Sequence, residues 1–495
     1  MPRPRAMRAL ACAGALVACL ATGATAHASS AQESIFQDDL QLVGSGATVR
    51  EQTLDQLQSL GVDTIRVFVP WSSIAPAPDS TVAPAGFDAA NPAAYPAGGW
   101  QPFDELVRSA SARGLSVILT PTAPIPAWAS RCGGSVSNRQ SCRPDPAQFG
   151  AFMQALGSRY SGAGEPRLTR WGLWNEPNVG RWLTPQFVRR GGRVVPASPA
   201  IYRGMAYAAI AGLAASGHGG DQILLGETGP IGHTTGPLAR RPVATAEFWR
   251  DLLCIGTSGR RLGGRAASEQ GCRGARRLNA TAIAHHPYIQ GGSRSPLTPA
   301  RPDEITISSI SRLKRILGQA AAQGMLRRGL PLYYTEYGFQ TNPPDRILGV
   351  SPARQAAYLD ESEWIAFRDP AVRGLAQYLL RDDPQLSGFQ SGLEFRDGRV
   401  KPSLAAYRFP LWVVRRGVSV TVFGRVRPIR GRGGTVRIQL RLPHSRFHDF
   451  LTARPNARGF FLVSHWSRHG EWRALWQPVD GGPGLASRTA AESSR

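Results

Sequence analysis

"FDELVRSASARGLSVILTPT", residues 103–122, passes from a helical to an extended pattern without a break. In its first part Phe103, Leu106, Val107 and Ala110 recur at spacings of three and four and fall on one helical face. The remainder, LSVILTPT, is a short apolar run rich in β-branched residues that begins directly after Gly114, as buried strands do. A helix that delivers the chain straight into a buried strand is one unit of a βα repeat.

The same alternation extends in both directions. Strands are expected at QLVGSG (41–46), TIRVFVPW (64–71), LSVILTPT (115–122), RLTRWGLWNEP (167–177), DQILLGET (221–228), ATAIAHHPY (280–288), PLYYTEYG (331–338) and VRGLAQYLL (372–380). Helices are expected between them at 50–61, 103–114, 146–160, 198–217, 244–254, 310–324 and 352–367. Eight strands alternating with helices over residues 39–408 predict an α/β fold, a (β/α)8 TIM barrel with enlarged loops. The alternative, an open doubly wound sheet, calls for a Gly-rich phosphate turn after the first strand, and VGSGAT (43–48) is a poor version of one. In a barrel, chemistry sits at the C-terminal strand ends, so carboxylates, histidines and tryptophans there become site candidates. The long Pro-, Gly- and Ala-rich stretches 74–100 and 290–303 follow strands and should rim that face.

The flanks divide the chain further. Residues 1–28 carry Arg3, Arg5 and Arg8, an apolar stretch and an A-x-A site at Ala26 and Ala28, the pattern of a secretory signal peptide, so the expected location is extracellular. Residues 29–410 form the catalytic barrel, 411–480 a small β-sandwich-like domain of short alternating strands, and 481–495 a disordered tail. Beyond the signal, four cysteines remain, and in an oxidising compartment the short loops favour Cys132 with Cys142 and Cys254 with Cys272. A zinc site is the weaker reading, since no C-x2-C spacing occurs, and neither a metal nor another cofactor is expected. The formal charge is +24, carried by arginine apart from Lys314 and Lys401 and spread along the chain. That spread speaks for base composition rather than a nucleic-acid patch; contact with acidic polysaccharide or the cell wall is the alternative. A monomer is expected.

Two carboxylates end strands four and seven: Glu176 in WNEP and Glu336 in YTEYG. Period-two alternation groups Gly172, Trp174 and Glu176 on one side of their strand and Leu332, Tyr334 and Glu336 on one side of theirs, which puts both glutamates in the barrel mouth. A facing carboxyl pair is what glycoside hydrolysis requires, one group protonating the leaving oxygen while the other attacks the sugar or activates water. Trp71, Trp100 and Trp128 lie in strand-end loops where indole faces can stack on sugar rings. Glu227 is a third carboxylate at the same face.

With these motifs the chain resembles a clan A glycoside hydrolase, closest to family 39, over residues 39–408. The resemblance implies a retaining β-glycosidase with Glu176 as acid/base, Glu336 as nucleophile and Asn175 on the sugar 2-hydroxyl. It also implies Arg66 beside the nucleophile and His286 and Tyr288 near the bound sugar. Trp71 and Trp128 complete the expected substrate-binding set. A guanidinium and a tyrosine hydroxyl beside Glu336 should hold it ionised while Glu176 stays protonated, giving a bell-shaped pH profile. The chain departs from the clan at strand eight, AQYLLRDDP, where Tyr378 or Asp382 stands in for the usual tryptophan. A catalytically silent carbohydrate-binding protein and a transglycosylase are the competing functions.

Overall fold

The computed structural model describes residues 29–233, 235–289, 294–429 and 433–494, so the signal segment and residues 290–293 lie outside the described residues. Eight parallel strands close into a barrel: β1 (Glu33–Gln37), β2 (Thr64–Pro70), β3 (Ser116–Thr122), β4 (Arg170–Gly172), β5 (Gln222–Thr228), β6 (Ala282–His285), β7 (Leu332–Tyr334) and β8 (Val372–Tyr378). β8 pairs with β1 and closes the ring. The strands alternate with helices α1 (Ala47–Ser59), α2 (Ala97–Ala112), α3 (Pro146–Arg159), α4 (Ser198–Ala215), α5 (Thr245–Leu252), α6 (Ser311–Ala322) and α7 (Pro352–Phe367); α8 (Pro402–Arg408) follows β8. The TIM barrel expected from the alternation is present.

Strand one is not where the sequence placed it. QLVGSG turns instead of extending: residues 40–44 form a wide helical turn, and Glu33–Gln37 takes the barrel position. The physical reason lies in Asp38, whose carboxylate accepts from the Gln41 backbone and, from the end of the neighbouring β8, from the Leu380 and Arg381 backbone. Those bonds hold a turn at the strand end, and Gly46 at φ +81 lets the chain leave it.

Inside the barrel, small and branched apolar residues form the packed layer: Ile35, Ile118, Leu224, Ala282, Ala284, Tyr333 and Ala376. Below it Arg170 pairs with Glu33. Above it lies the polar layer that forms the site. The larger core fills the space between strands and helices, where Ile65, Val67, Leu225, Ile283, Leu332 and Tyr334 point outward.

After Pro410 two four-stranded sheets face each other, built on strands Leu411–Arg416, Ser419–Arg425 and Phe460–Trp466 in one and Thr435–Arg441, His448–Ala453 and Glu471–Gln477 in the other. The expected disordered tail is ordered through Ser494. Leu485–Ala486 pairs with Glu471–Gln477, and Glu492–Ser493 pairs with Leu411–Arg416. Charge explains the correction: Glu492 accepts from Arg415, His469 and the Trp472 indole, and Arg488 pairs with Asp360 on α7. This unit sits at the N-terminal strand ends, opposite the mouth, through Phe367, Phe423 and Phe460 and the Arg427–Glu363 pair. Both expected disulfides, Cys132–Cys142 and Cys254–Cys272, are formed.

Candidate active site

Arg66 is the centre of the polar layer. It points inward from β2 between outward-facing Ile65 and Val67, and its side chain is fully buried. One amino group donates to Glu336 Oε1 at 2.8 Å and to Gln37; the other donates to Asn175 Oδ1 at 3.0 Å and to Glu227. Burial alone would depress Arg66, but Glu227 and Glu336 raise it above its ordinary value, so the cation is permanent. The cation thus joins four groups delivered by four different strand ends.

The two glutamates reach the mouth, though not by the expected route. β4 ends at Gly172 and β7 at Tyr334, and Trp174 and Tyr334 both turn outward into the core between barrel and helices. Each carboxylate comes from the turn that follows its strand. Glu176 takes φ +37 directly before a proline, a conformation that non-glycine residues seldom adopt and that the surroundings must hold. Three contacts hold it. Its N–H donates to the Glu227 carbonyl at 3.0 Å, and Asn178 bonds both backbone groups of Gly229. A Cβ on Gly229 would stand 2.9 Å from Glu176 Oε1, so the close approach requires glycine. Glu227 itself has φ +49 where the β5–β6 register shifts between Gly226 and Thr228, and that irregularity aims it inward.

His286 lies between the pair. Its Nδ1 is 3.2 Å from Glu176 and 3.5 Å from Glu336, and its Nε2 is 3.1 Å from Thr335 Oγ1. Burial pushes its pKa down to about 3, so at neutral pH it acts through a hydrogen bond and not through charge. When Nδ1 carries the proton it donates to the carboxylates and Nε2 accepts from Thr335. Its neighbour His285 faces outward, as alternation requires, against the Ile305 carbonyl and Thr228. Tyr288 donates to Glu336 Oε2 at 3.3 Å.

The environments of the two carboxyls differ in kind. Burial pushes Glu176 up to about 7, opposed by Arg66, the Trp182 side chain and Arg181. Glu336 is also raised by burial, with Arg66 opposing. Arg66 and Tyr288 were expected to favour the ionised form of Glu336; desolvation outweighs the guanidinium there and the pKa is raised. The asymmetry that survives is in bonding, since Glu336 holds a buried arginine ion pair at 2.8 Å and Glu176 has none among the described residues.

A cavity of about 320 Å³ opens above these groups, lined among others by Phe68, Asn175, Trp182, Tyr288, Tyr378 and Phe389. Six of the expected site residues converge at this mouth: Arg66, Asn175, Glu176, His286, Tyr288 and Glu336. Trp71 and Trp128 do not line it. Trp71 is fully buried, stacked on Phe152 at 5.3 Å and edge-on to Trp128, whose indole donates to the Pro76 carbonyl. Trp100 is likewise buried against Phe152. These indoles form the core that the Pro- and Ala-rich 74–100 segment needs in order to fold over the barrel. At strand eight Tyr378 lines the cavity, while Asp382 is buried in a pair with Lys401. Sequence reasoning missed Trp182, Asn178 and Thr335; the aromatic in the loop directly after NEP was the available signal for the first.

Glu176, His286 and Glu336 place one ligating atom each within 4.8 Å of the others, a set that can converge on a divalent cation or on one scissile bond. Arg66 occupies one face of Glu336 and repels a second cation, which favours the scissile bond. No family model matches the chain, and no curated protein matches it by sequence. Similar solved structures include beta-glucuronidase from Bacteroides uniformis, 11% identical with a TM-score of 0.41 over 93% of this chain and 46% of that one. Beta-glucuronidase from Ruminococcus gnavus is 13% identical with a TM-score of 0.37 over 76% and 49%. Beta-D-mannosidase from Dictyoglomus thermophilum is 10% identical with a TM-score of 0.42 over 92% and 50%. The chain spans about half the length of these structures, and the functional reading rests on its own residues.

Proposed function

We propose that the protein is a secreted retaining β-glycosidase, of the family 39 type within clan A, acting on a polysaccharide or oligosaccharide. The observation that carries the reading is the spacing of the glutamates. Carboxyls about 5 Å apart suit double displacement, whereas inversion needs about 6.5–9.5 Å for an intervening water. Glu176 and Glu336 each bring one carboxylate oxygen within 4.8 Å of the other's, a close approach that supports the first class.

In this mechanism Glu336, held by Arg66 and Tyr288, attacks the anomeric carbon as Glu176 gives its proton to the leaving oxygen. The bond to the leaving group breaks and a glycosyl ester forms on Glu336. Glu176, now ionised, takes a proton from water, which attacks the same carbon and releases Glu336. Its pKa near 7 suits both duties at neutral pH. Asn175, fixed by Arg66 Nη2, offers its amide N–H to the sugar 2-hydroxyl. Phe68, Trp182, Tyr378 and Phe389 supply the stacking faces expected of Trp71 and Trp128. The test is the anomeric configuration of the first product by proton NMR on a β-linked oligosaccharide: a β-configured product is expected, and an α-configured one would overturn the assignment.

A further inference from the structure

The wall of the cleft carries a cation that has no carboxylate partner among the described residues. Arg181 comes five residues after Glu176, lines the same cavity, and lies 5.1 Å from the centroid of the Trp182 ring. It is exposed, and among the described residues no carboxylate pairs with it. Some arginines elsewhere on the barrel are paired, Arg50 with Glu105, Arg108 with Glu165 and Arg159 with Asp104, whereas Arg181 is set apart by its place in the cavity wall beside Glu176. Its charge also works against the proposed chemistry, because it favours the ionised form of the group that must carry the proton. An anion on the substrate, paired with Arg181, would cancel that effect and hold the proton on Glu176 more firmly.

The wall continues in the same sense. Ile289 is shared with a second cavity of about 200 Å³, lined also by His233, Arg294, Arg301 and Glu304. Glu304 holds Arg301 through the backbone N–H at 3.2 Å and a loose ion pair at 3.9 Å, while Arg294 has no ion pair among the described residues. The second cavity stands on the loops after β5 and β6, between the two glutamates, and Arg181 stands on the loop after β4 that also carries Glu176, the proton donor. That is where a leaving group departs.

Resting on the glycosidase reading above, we infer that the leaving-group side of the cleft takes a uronate, its carboxylate paired with the Arg181 guanidinium over the Trp182 face. A planar guanidinium fixed on an aromatic face matches a carboxylate with two parallel hydrogen bonds, which a neutral hydroxymethyl cannot supply.

The test offers hyaluronan, mannuronate-rich alginate and glucuronoxylan to the purified protein, each beside its carboxyl-reduced counterpart, and measures reducing ends. On at least one polymer the carboxylated form should be cleaved with a kcat/KM about tenfold higher than the reduced form, as loss of one charged hydrogen-bonded pair implies. In Arg181→Gln that ratio should fall toward one, chiefly through KM; in Arg416→Gln, an equal charge change on the C-terminal sheets, it should persist. Equal cleavage of both forms, or a ratio that survives Arg181→Gln, overturns the inference and leaves the glycosidase reading standing. If nothing is cleaved, calorimetric binding to Glu336→Gln separates the two. Carboxyl-dependent binding lost in the Arg181→Gln, Glu336→Gln double variant keeps the anion site and defeats hydrolysis, whereas no carboxyl-dependent binding defeats the inference as well.

Discussion

At the scale of single residues, the site is a competition between burial and one cation. Arg66 favours ionised carboxylates, and burial opposes it at Glu176, Glu227 and Glu336 alike. Glu176 must be protonated to act, so activity should fall about tenfold per unit above about pH 7. The acidic limb belongs to Glu336 and should lie above the ordinary carboxylate range, because its pKa is raised. Glu176→Gln should lower kcat by about 10²–10⁴ on substrates with poor leaving groups and abolish the basic limb; a limb near pH 7 that persists would reassign it. Activity should survive dialysis against EDTA, since Arg66 already occupies Glu336; loss restored by a divalent ion would favour the metal reading of Glu176, His286 and Glu336. The glutamates were legible because each belongs to a motif at a strand end; Arg66, His286 and Tyr288 came with the family resemblance that those motifs carry. Their ionisation was not, because the degree of burial is set by side chains from every other loop.

At the scale of elements, the strands were read from apolar runs and failed only where a side chain overrode the run, as Asp38 does at the first. The hairpin Phe187–Arg190 and Arg193–Pro196 went unread although it has a local signal: Gly191 and Gly192 at φ +52 and +78 form the two-residue turn between its strands. The glutamates were placed in the mouth by carrying period-two alternation past the strand ends, where it no longer holds. Gly172 does face inward, and there a Cβ would meet Thr120 Oγ1 at 2.2 Å and Glu227 Oε1 at 2.5 Å. Gly172→Ala should therefore displace Glu227 from Arg66 and cost both activity and stability, measured as kcat and Tm together; an unchanged kcat would show that Glu227 does not position the cation. The Cys254–Cys272 loop is held twice. Arg203 on α4 donates to the carbonyls of Asp251, Leu252, Gln270 and Gly271. Closing a loop with a sequence separation of 18 is worth about 3 kcal/mol, so replacing both cysteines by serine should lower Tm without local unfolding. Protease cleavage between residues 254 and 272 in that variant would contradict it.

At the scale of the molecule, the C-terminal sheets close the bottom of the barrel and leave the mouth open. Arg425 and Arg427 are buried at that junction against Glu363 of α7; burial, with Arg427 beside it, pushes Arg425 down to about 9. Glu363→Ala would leave the buried Arg427 guanidinium without its carboxylate, while Arg425 keeps Asp63 at 3.6 Å, and should cost about 3–5 kcal/mol, read in denaturant unfolding as one transition for barrel and sheets. Two separate transitions in the native chain would show that the sheets are an independent module. The order of the tail was not legible because its anchors, Arg415 for Glu492 and Asp360 for Arg488, are distant in sequence.

The central claim is that Glu176 and Glu336 act as one catalytic pair. It is tested most directly by reducing-end release from a panel of β-linked polysaccharides, measured for the native protein and for Glu336→Gln. Release by the native protein that vanishes in the variant is the predicted result. Equal release by both would contradict it.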